Sequence, residues 1–184
     1  MEKSILYFEK SGKANTDDTL TIARSRAEQL GIRQIVVAST HGYTARRAKD
    51  VFDGLNVEII AVSINASFDD EGWTMSEAEG DALRKIGIQV LTSVHTLGDD
   101  VNVAFGVTAP NVIVRETLYT FCQGMKVAIE IALMAADAGL LDMKQELISV
   151  AGTDSGADTA IVLHPAYSRQ FKKLRIREIL SKPR

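Results

Sequence analysis

The residue types best suited to chemistry gather in Ser39-Thr40-His41-Gly42-Tyr43-Thr44-Ala45-Arg46. This stretch directly follows an apolar run of strand length and directly opens a helical pattern. In an open parallel sheet that position is the carboxyl edge, where ligands bind. The first turn of a helix carries unpaired backbone N–H groups and the positive end of the helix dipole, so it attracts an anion. Gly42 lets the backbone approach a ligand closely. Ser39, Thr40 and Thr44 add hydroxyl donors, and His41 adds a charge-assisted one. The plainer reading is that Ser39 or Thr40 caps the helix. A cap uses one hydroxyl, whereas three hydroxyls and a histidine surround this glycine. The expectation is therefore that Ser39 to Thr44 holds the phosphate of a small ligand.

Two further loops carry polar groups. Gly152-Thr153-Asp154-Ser155-Gly156-Ala157-Asp158-Thr159 either lines a polar pocket or makes a turn. Its carboxylates, Asp154 and Asp158, would suit ribose hydroxyls or a ring N–H. Gly12-Lys13-Ala14-Asn15-Thr16 supplies an N-cap, Asn15 or Thr16, and lies at the same sheet edge, where it would complete the pocket. Lys126 and Glu130 stand one helical turn apart: either they pair with each other, or Lys126 reaches the ligand. If the pocket is an enzyme's, His41, His95, His164, Asp154 and Asp158 are the acid–base candidates. Cys122 sits in an apolar stretch and reads as a buried thiol.

Positioning these loops requires an alternation of strands and helices, and the chain shows one. Strand runs are Ile5 to Phe8, Gln34 to Ala38, Val57 to Ile64 and Ile88 to Val94. Between them, Leu20, Ala23, Ala27 and Leu30 mark one helix, closed by Gly31; Ala45, Ala48 and Phe52 mark a second, closed by Gly54. An acidic loop from Asp69 to Trp73 leads to a third, opened by the capping-box spacing Ser76-x-x-Glu79. Gly98, Asp99, Asp100, Gly106, Pro110 and Asn111 make residues 96–116 a loop with a short helix. The longest helix is expected from Glu116 to Leu140, apolar on several faces and so buried against the sheet and a second subunit. Glu146 to Ala151 and Ala160 to His164 close the sheet as an antiparallel pair, since their connection is too short for a crossover. The alternating tail Leu174 to Leu180 reads as a final strand. This pattern gives an α/β fold with a mostly parallel sheet covered on both faces.

With 184 residues and 46% hydrophobic composition the chain supports one domain, 1–184, with a sizeable core. A net charge of −3 provides no field for gripping a nucleic acid. One cysteine excludes an internal disulfide and a thiolate zinc cluster. The N-terminus shows no signal-peptide pattern, and the longest apolar stretch carries Lys126, Glu130 and Asp137, too many charges for a membrane span. A cytoplasmic protein, neither membrane- nor nucleic-acid-bound, is expected.

Ser39 to Arg46, followed by Val57-Glu-Ile-Ile-Ala-Val-Ser63, resembles the C-terminal domain of pyruvate kinase, where such a loop closes on the phosphate of a sugar-phosphate effector. Gly152 to Thr159 resembles that domain's closing glycine-rich loop. Gly-Met-Lys-Val-Ala-Ile-Glu at Gly124 to Glu130, Ala-Gly-Thr-x-x-Gly-Ala-Asp-Thr-Ala at Ala151 to Ala160 and the terminal Lys-Pro-Arg resemble a mostly archaeal, stand-alone family of the domain. The resemblance implies a three-layer α/β/α sandwich with an antiparallel closing strand. It also implies flavin mononucleotide (FMN) as the leading ligand. The binding set would be Asn15, Thr16, Ser39, Thr40, His41, Gly42, Tyr43, Thr44, Lys126, Gly152, Thr153, Asp154, Gly156, Ala157, Asp158 and Thr159. Nothing resembles the metal or phosphoryl-transfer residues of pyruvate kinase, so that activity is not implied. His41 stands where the effector loop carries a lysine, and Tyr43 at the rim favours a planar group that stacks. The expected role is a binding or sensor protein for a phosphorylated small molecule, a homo-oligomer through its apolar helix. The alternative is a flavin-dependent oxidoreductase, or a hydrolase or transferase acting on a phosphorylated metabolite.

Overall fold

The apolar runs pair into one seven-stranded sheet in a computed structural model, which describes residues 2–98 and 104–184. In chain order the strands are β1 (Leu6–Phe8), β2 (Gln34–Ala38), β3 (Glu58–Ile64), β4 (Gln89–Ser93), β5 (Leu147–Ala151), β6 (Thr159–His164) and β7 (Arg175–Pro183). They lie in the order β1-β7-β6-β5-β2-β3-β4. Every pairing is parallel except those of β6 with β5 and β7. The antiparallel strand anticipated in the sequence is therefore present, but it is interior. The sheet closes on β1 instead, because β7 runs between β6 and β1 with Leu6 opposite Ser181.

Side-chain alternation splits the core into two layers. Ile35, Val37, Ala61, Ile148 and Val150 face α1 (Thr16–Leu30), α2 (Tyr43–Val51) and α3 (Glu77–Lys85), meeting Leu20, Ala48, Phe52 and Leu83. Val36, Ile60, Leu147, Ile161 and Leu163 face α5 (Gln123–Asp137), with α4 (Pro110–Tyr119) packed beside it. The result is the three-layer α/β/α sandwich, with both sheet faces covered as parallel strands require.

One long helix from Glu116 to Leu140 does not form: α4 and α5 are separate. Cys122 adopts an extended backbone (φ 174°, ψ 167°) and its Sγ accepts the Met125 N–H at 3.3 Å, so a new helix starts there. Its first turn meets β6. A Cβ on Gly124 would lie 2.2 Å from the Thr159 Oγ1, so α5 approaches β6 here as closely as only glycine allows. Cys122 is half-buried and works as a cap. Pro110 opens α4 at a position that tolerates its missing N–H. Asp99 and Asp100, counted among the loop formers of 96–116, lie outside the described residues.

Candidate ligand-binding site

The parallel strands β2 and β3 end at a cavity of ≈ 530 Å³, within the usual range for small-molecule sites of about 300–1,000 Å³. Ala38, Val62, Ser63 and Ile64 come from the strand ends, and Val127, Ile131 and Met134 from α5. Ser63 is buried, and its Oγ has no hydrogen-bond partner among the described residues.

From one side the cavity is lined by Ser39, Thr40, His41, Tyr43 and Thr44. Gly42 occupies the left-handed region (φ 81°, ψ 0°) and turns the chain into α2. The Ser39 Oγ accepts the Ala45 N–H at 3.3 Å, so this hydroxyl does cap the helix. The amides of Gly42, Tyr43 and Thr44 have no backbone acceptor among the described residues, as expected for a helix start. Arg46 folds back so that its guanidinium donates to the His41 carbonyl at 3.0 Å, adding positive charge beside the turn. The turn thus presents amides, hydroxyls and a guanidinium together.

His41 is tethered at both ring nitrogens. Nδ1 lies 3.2 Å from the Glu79 carboxylate and Nε2 lies 2.9 Å from the Gly72 carbonyl. The capping box of α3 aims Glu79: its carboxylate accepts the Ser76 N–H and hydroxyl, both at 2.8 Å. Those bonds, and then His41, hold the Glu79 carboxyl below the usual carboxylate range. Through Gly72, the same contact fixes Trp73 beside the cavity. Trp73 stacks on Phe68 (6.1 Å between centroids, 9° between planes), and Phe68 tilts against His95 at 5.5 Å. Trp73, His95, Tyr43 and Tyr119 all line the cavity. The sequence reading named neither Trp73 nor Tyr119 as a site residue. Trp73 had one signal, its place in the loop that leaves the carboxyl end of a strand.

The glycine-rich loop contributes Gly152, Asp154, Ser155 and Gly156 to the lining. Thr153, Ala157, Asp158 and Thr159 do not line the cavity; they hold the loop together. Asp158 is fully buried, and its Oδ2 accepts the Gly12 N–H at 2.8 Å and the Thr153 N–H at 3.1 Å. Its Oδ1 accepts the Thr159 hydroxyl at 2.8 Å. Asn15 and Thr16 are likewise off the cavity, and neither side chain caps α1. Asn15 Nδ2 donates to the Lys10 carbonyl at 2.7 Å. Thr16 Oγ1 donates to the Lys13 carbonyl and accepts the Ala157 N–H at 3.0 Å. The Gly12 to Thr16 loop therefore buttresses the site from behind, reaching it only where the Lys13 ammonium sits 4.1 Å above the Tyr43 ring.

On α5, Lys126 and Glu130 form a buried ion pair and both line the cavity, joined there by Gln123. Of the acid–base candidates, His41, His95 and Asp154 reach the cavity, whereas His164 and Asp158 do not. No group of three or more His, Cys, Asp or Glu side chains is placed to hold a metal ion among the described residues. Among the same residues no helix is long and apolar enough to cross a membrane.

Comparison with known proteins adds the lineage. Residues 17–163 match the family described as pyruvate kinase, alpha/beta domain. Three solved structures of Cryptosporidium parvum pyruvate kinase are similar over part of their length. One shares 15% identity with a TM-score of 0.43, covering 85% of this chain and 24% of that one. A second shares 16% with a TM-score of 0.37, covering 77% and 22%. A third, in complex with ADP, shares 16% with a TM-score of 0.39, covering 91% and 24%. This chain spans about a quarter of the length of those pyruvate kinases. The family match extends over well more than half of the sequence and includes both the Ser39 to Thr44 turn and the Gly152 to Thr159 loop. The chain belongs to the pyruvate kinase alpha/beta domain family.

Proposed function

We propose that the cavity binds a phosphorylated small molecule with a planar group, FMN being the leading ligand. One observation carries this reading: Tyr43 and Thr44, whose amides have no backbone acceptor among the described residues, line the same cavity as Trp73, Tyr119 and His95. An anion gains from the amides, the hydroxyls of Thr40 and Thr44, and the positive end of α2. A ring system gains from the aromatic walls. The buried Ser63 hydroxyl, without a partner among the described residues, is a further polar group that a ligand would satisfy. Asp154 and Gly152 border the remainder of the molecule. Binding alone needs no general base, so a sensor or carrier role follows most directly.

Trp73 is the only tryptophan in the sequence, so its fluorescence reports this cavity. Titration with FMN should quench Trp73 emission and raise the melting temperature. Unchanged emission and melting temperature at millimolar FMN would sink the reading. The enzymatic alternative draws on His95 and Asp154, both at the cavity. It requires turnover of a phosphorylated substrate, or reduction of bound flavin by a pyridine nucleotide. Replacement of His95 by Asn should then abolish turnover while binding persists.

The exposed apolar side chains Phe105, Ile113 and Phe121, on and beside α4, are the surface a homo-oligomer would use. α5 is instead consumed by the sheet. Sedimentation velocity of wild type and of Ile113→Glu tests that interface.

A further inference from the structure

Lys126 and Glu130 are 5% and 1% exposed, on a helix whose other buried positions are Met, Ile, Leu, Ala and Gly. Taking two charges out of water costs several kcal/mol per ion, and apolar residues of similar size commonly serve a fold as well or better. The pair is therefore an expensive way to pack α5. Glu130 is fully engaged: one oxygen accepts the Lys126 ammonium and the other accepts the Leu97 N–H at 3.0 Å. Lys126 is not. Its ammonium has three donors, and Glu130 is its one hydrogen-bond acceptor among the described residues, with the Tyr119 ring 5.8 Å away. What α5 offers the cavity at this point is a held positive charge with N–H groups to spare.

We infer that Lys126 is the ring-reading residue of this site, donating to a carbonyl or deprotonated ring nitrogen at the edge of the ligand's planar group. Glu130 is its positioning residue. The inference rests on the proposed binding of a phosphorylated planar ligand and narrows its class. The ring is an oxo-heterocycle rich in acceptors, as in FMN, rather than one presenting an amino group, as in AMP. A lysine has donors only, so the carbonyls of the first edge reward it, whereas the amino group of the second turns a donor toward it beside its ring-nitrogen acceptors.

The test titrates FMN and AMP into wild type, Lys126→Arg, Glu130→Gln and the double variant Lys126→Met/Glu130→Leu. Trp73 emission, bound-flavin absorption and melting temperature are followed. The double variant removes both charges together, so it leaves no orphaned ion; it does free the Leu97 N–H, and its melting temperature without ligand reads that cost and checks that it is folded. Wild type should prefer FMN. In the double variant FMN affinity should fall by about ten- to a hundredfold, the worth of a hydrogen bond to a charged group, while AMP affinity stays within about twofold. The shift of the bound-flavin band should vanish with it, return in part in Lys126→Arg, and be reduced in Glu130→Gln. Unchanged FMN affinity in the folded double variant overturns the inference and leaves the binding site standing. Equal losses for FMN and AMP also overturn it, by placing Lys126 at the phosphate the two ligands share or by making the pair structural. Absence of FMN binding to wild type is a different failure, because it removes the site and the inference together.

Discussion

The loops Ser39 to Thr44 and Gly152 to Thr159 have similar compositions, yet they spend their polar groups differently. In the second, Asp158 satisfies two amides and a hydroxyl, and Thr16 satisfies a third amide. Gly156 sits where a Cβ would meet backbone, 2.7 Å from the Lys13 Cα. In the first, one hydroxyl caps α2 and the amides of Gly42, Tyr43 and Thr44 remain without backbone partners. A Cβ on Gly42 would meet only the movable end of Arg46, at 2.8 Å. One loop is tied down by Asp158 and by the Gly12 to Thr16 segment, and the other keeps amides without backbone acceptors among the described residues. Glycines, hydroxyls and acids in a row therefore do not identify a binding loop. What distinguishes it is donors left unspent.

The contrast can be broken at five residues. Asp158→Ala should do the greatest damage, because it removes a fully buried carboxylate and orphans the part-buried Gly12 and Thr153 amides and the buried Thr159 hydroxyl. The expected loss is about 4 kcal/mol, read by urea denaturation; a loss below about 1 kcal/mol would mean water replaces the carboxylate. Gly156→Ala and Gly42→Ala come next as a matched pair, both at positive φ (74° and 81°). Each carries roughly 1–2 kcal/mol of left-handed strain, and Gly156→Ala adds backbone overlap for a total of about 3 kcal/mol. Gly42→Ala should be the milder in stability but weaken FMN by about tenfold, since it stiffens the anion turn. Equal destabilisation by the two would erase the distinction between the loops.

Ser39→Ala should cost about 1 kcal/mol, the value of a helix cap, with thermal denaturation as the readout. Glu79 gives the smallest effect and the one that depends on pH. Its folded pKa lies below the ordinary 4.5, so its contribution is present above that value and is lost as pH falls through the folded one. The stability difference between wild type and Glu79→Gln should therefore shrink on acidification from about pH 6 to pH 3. A difference that is flat over this range would show that the Ser76 and His41 contacts do not hold the carboxylate.

The architecture was legible because period-2 and period-3.6 apolar patterns are imposed by burial, and β2, α1, α2 and β3 obey them closely. The break between α4 and α5 was not, since Thr120-Phe121-Cys122 contains no glycine or proline. The new helix starts at the Cys122 cap, and its first turn packs Gly124 against Thr159, which is distant in sequence. The capping box of Ser76 and Glu79 was readable as a local spacing, whereas its second use, tying His41 over the Gly72–Trp73 turn, was not. Of the anticipated binding residues, the cavity takes Ser39, Thr40, His41, Tyr43, Thr44, Lys126, Gly152, Asp154 and Gly156. Asn15, Thr16, Thr153, Ala157, Asp158 and Thr159 became scaffold. Their types suit both tasks, and only their partners tell the tasks apart.

Sequence by itself determined the α/β order, the single reversed strand beside β5 and the polar turn at the end of β2. Each follows from short-range patterning or connection length. Tertiary structure alone decided that β7 would lie between β6 and β1, and that Trp73 and Tyr119 would join the cavity. It also decided that Asp158 would face inward to backbone while Lys126 kept donors to spare. Those outcomes depend on which distant atoms compete for each hydrogen bond, a competition that is settled when the sheet brings the loops together at one edge.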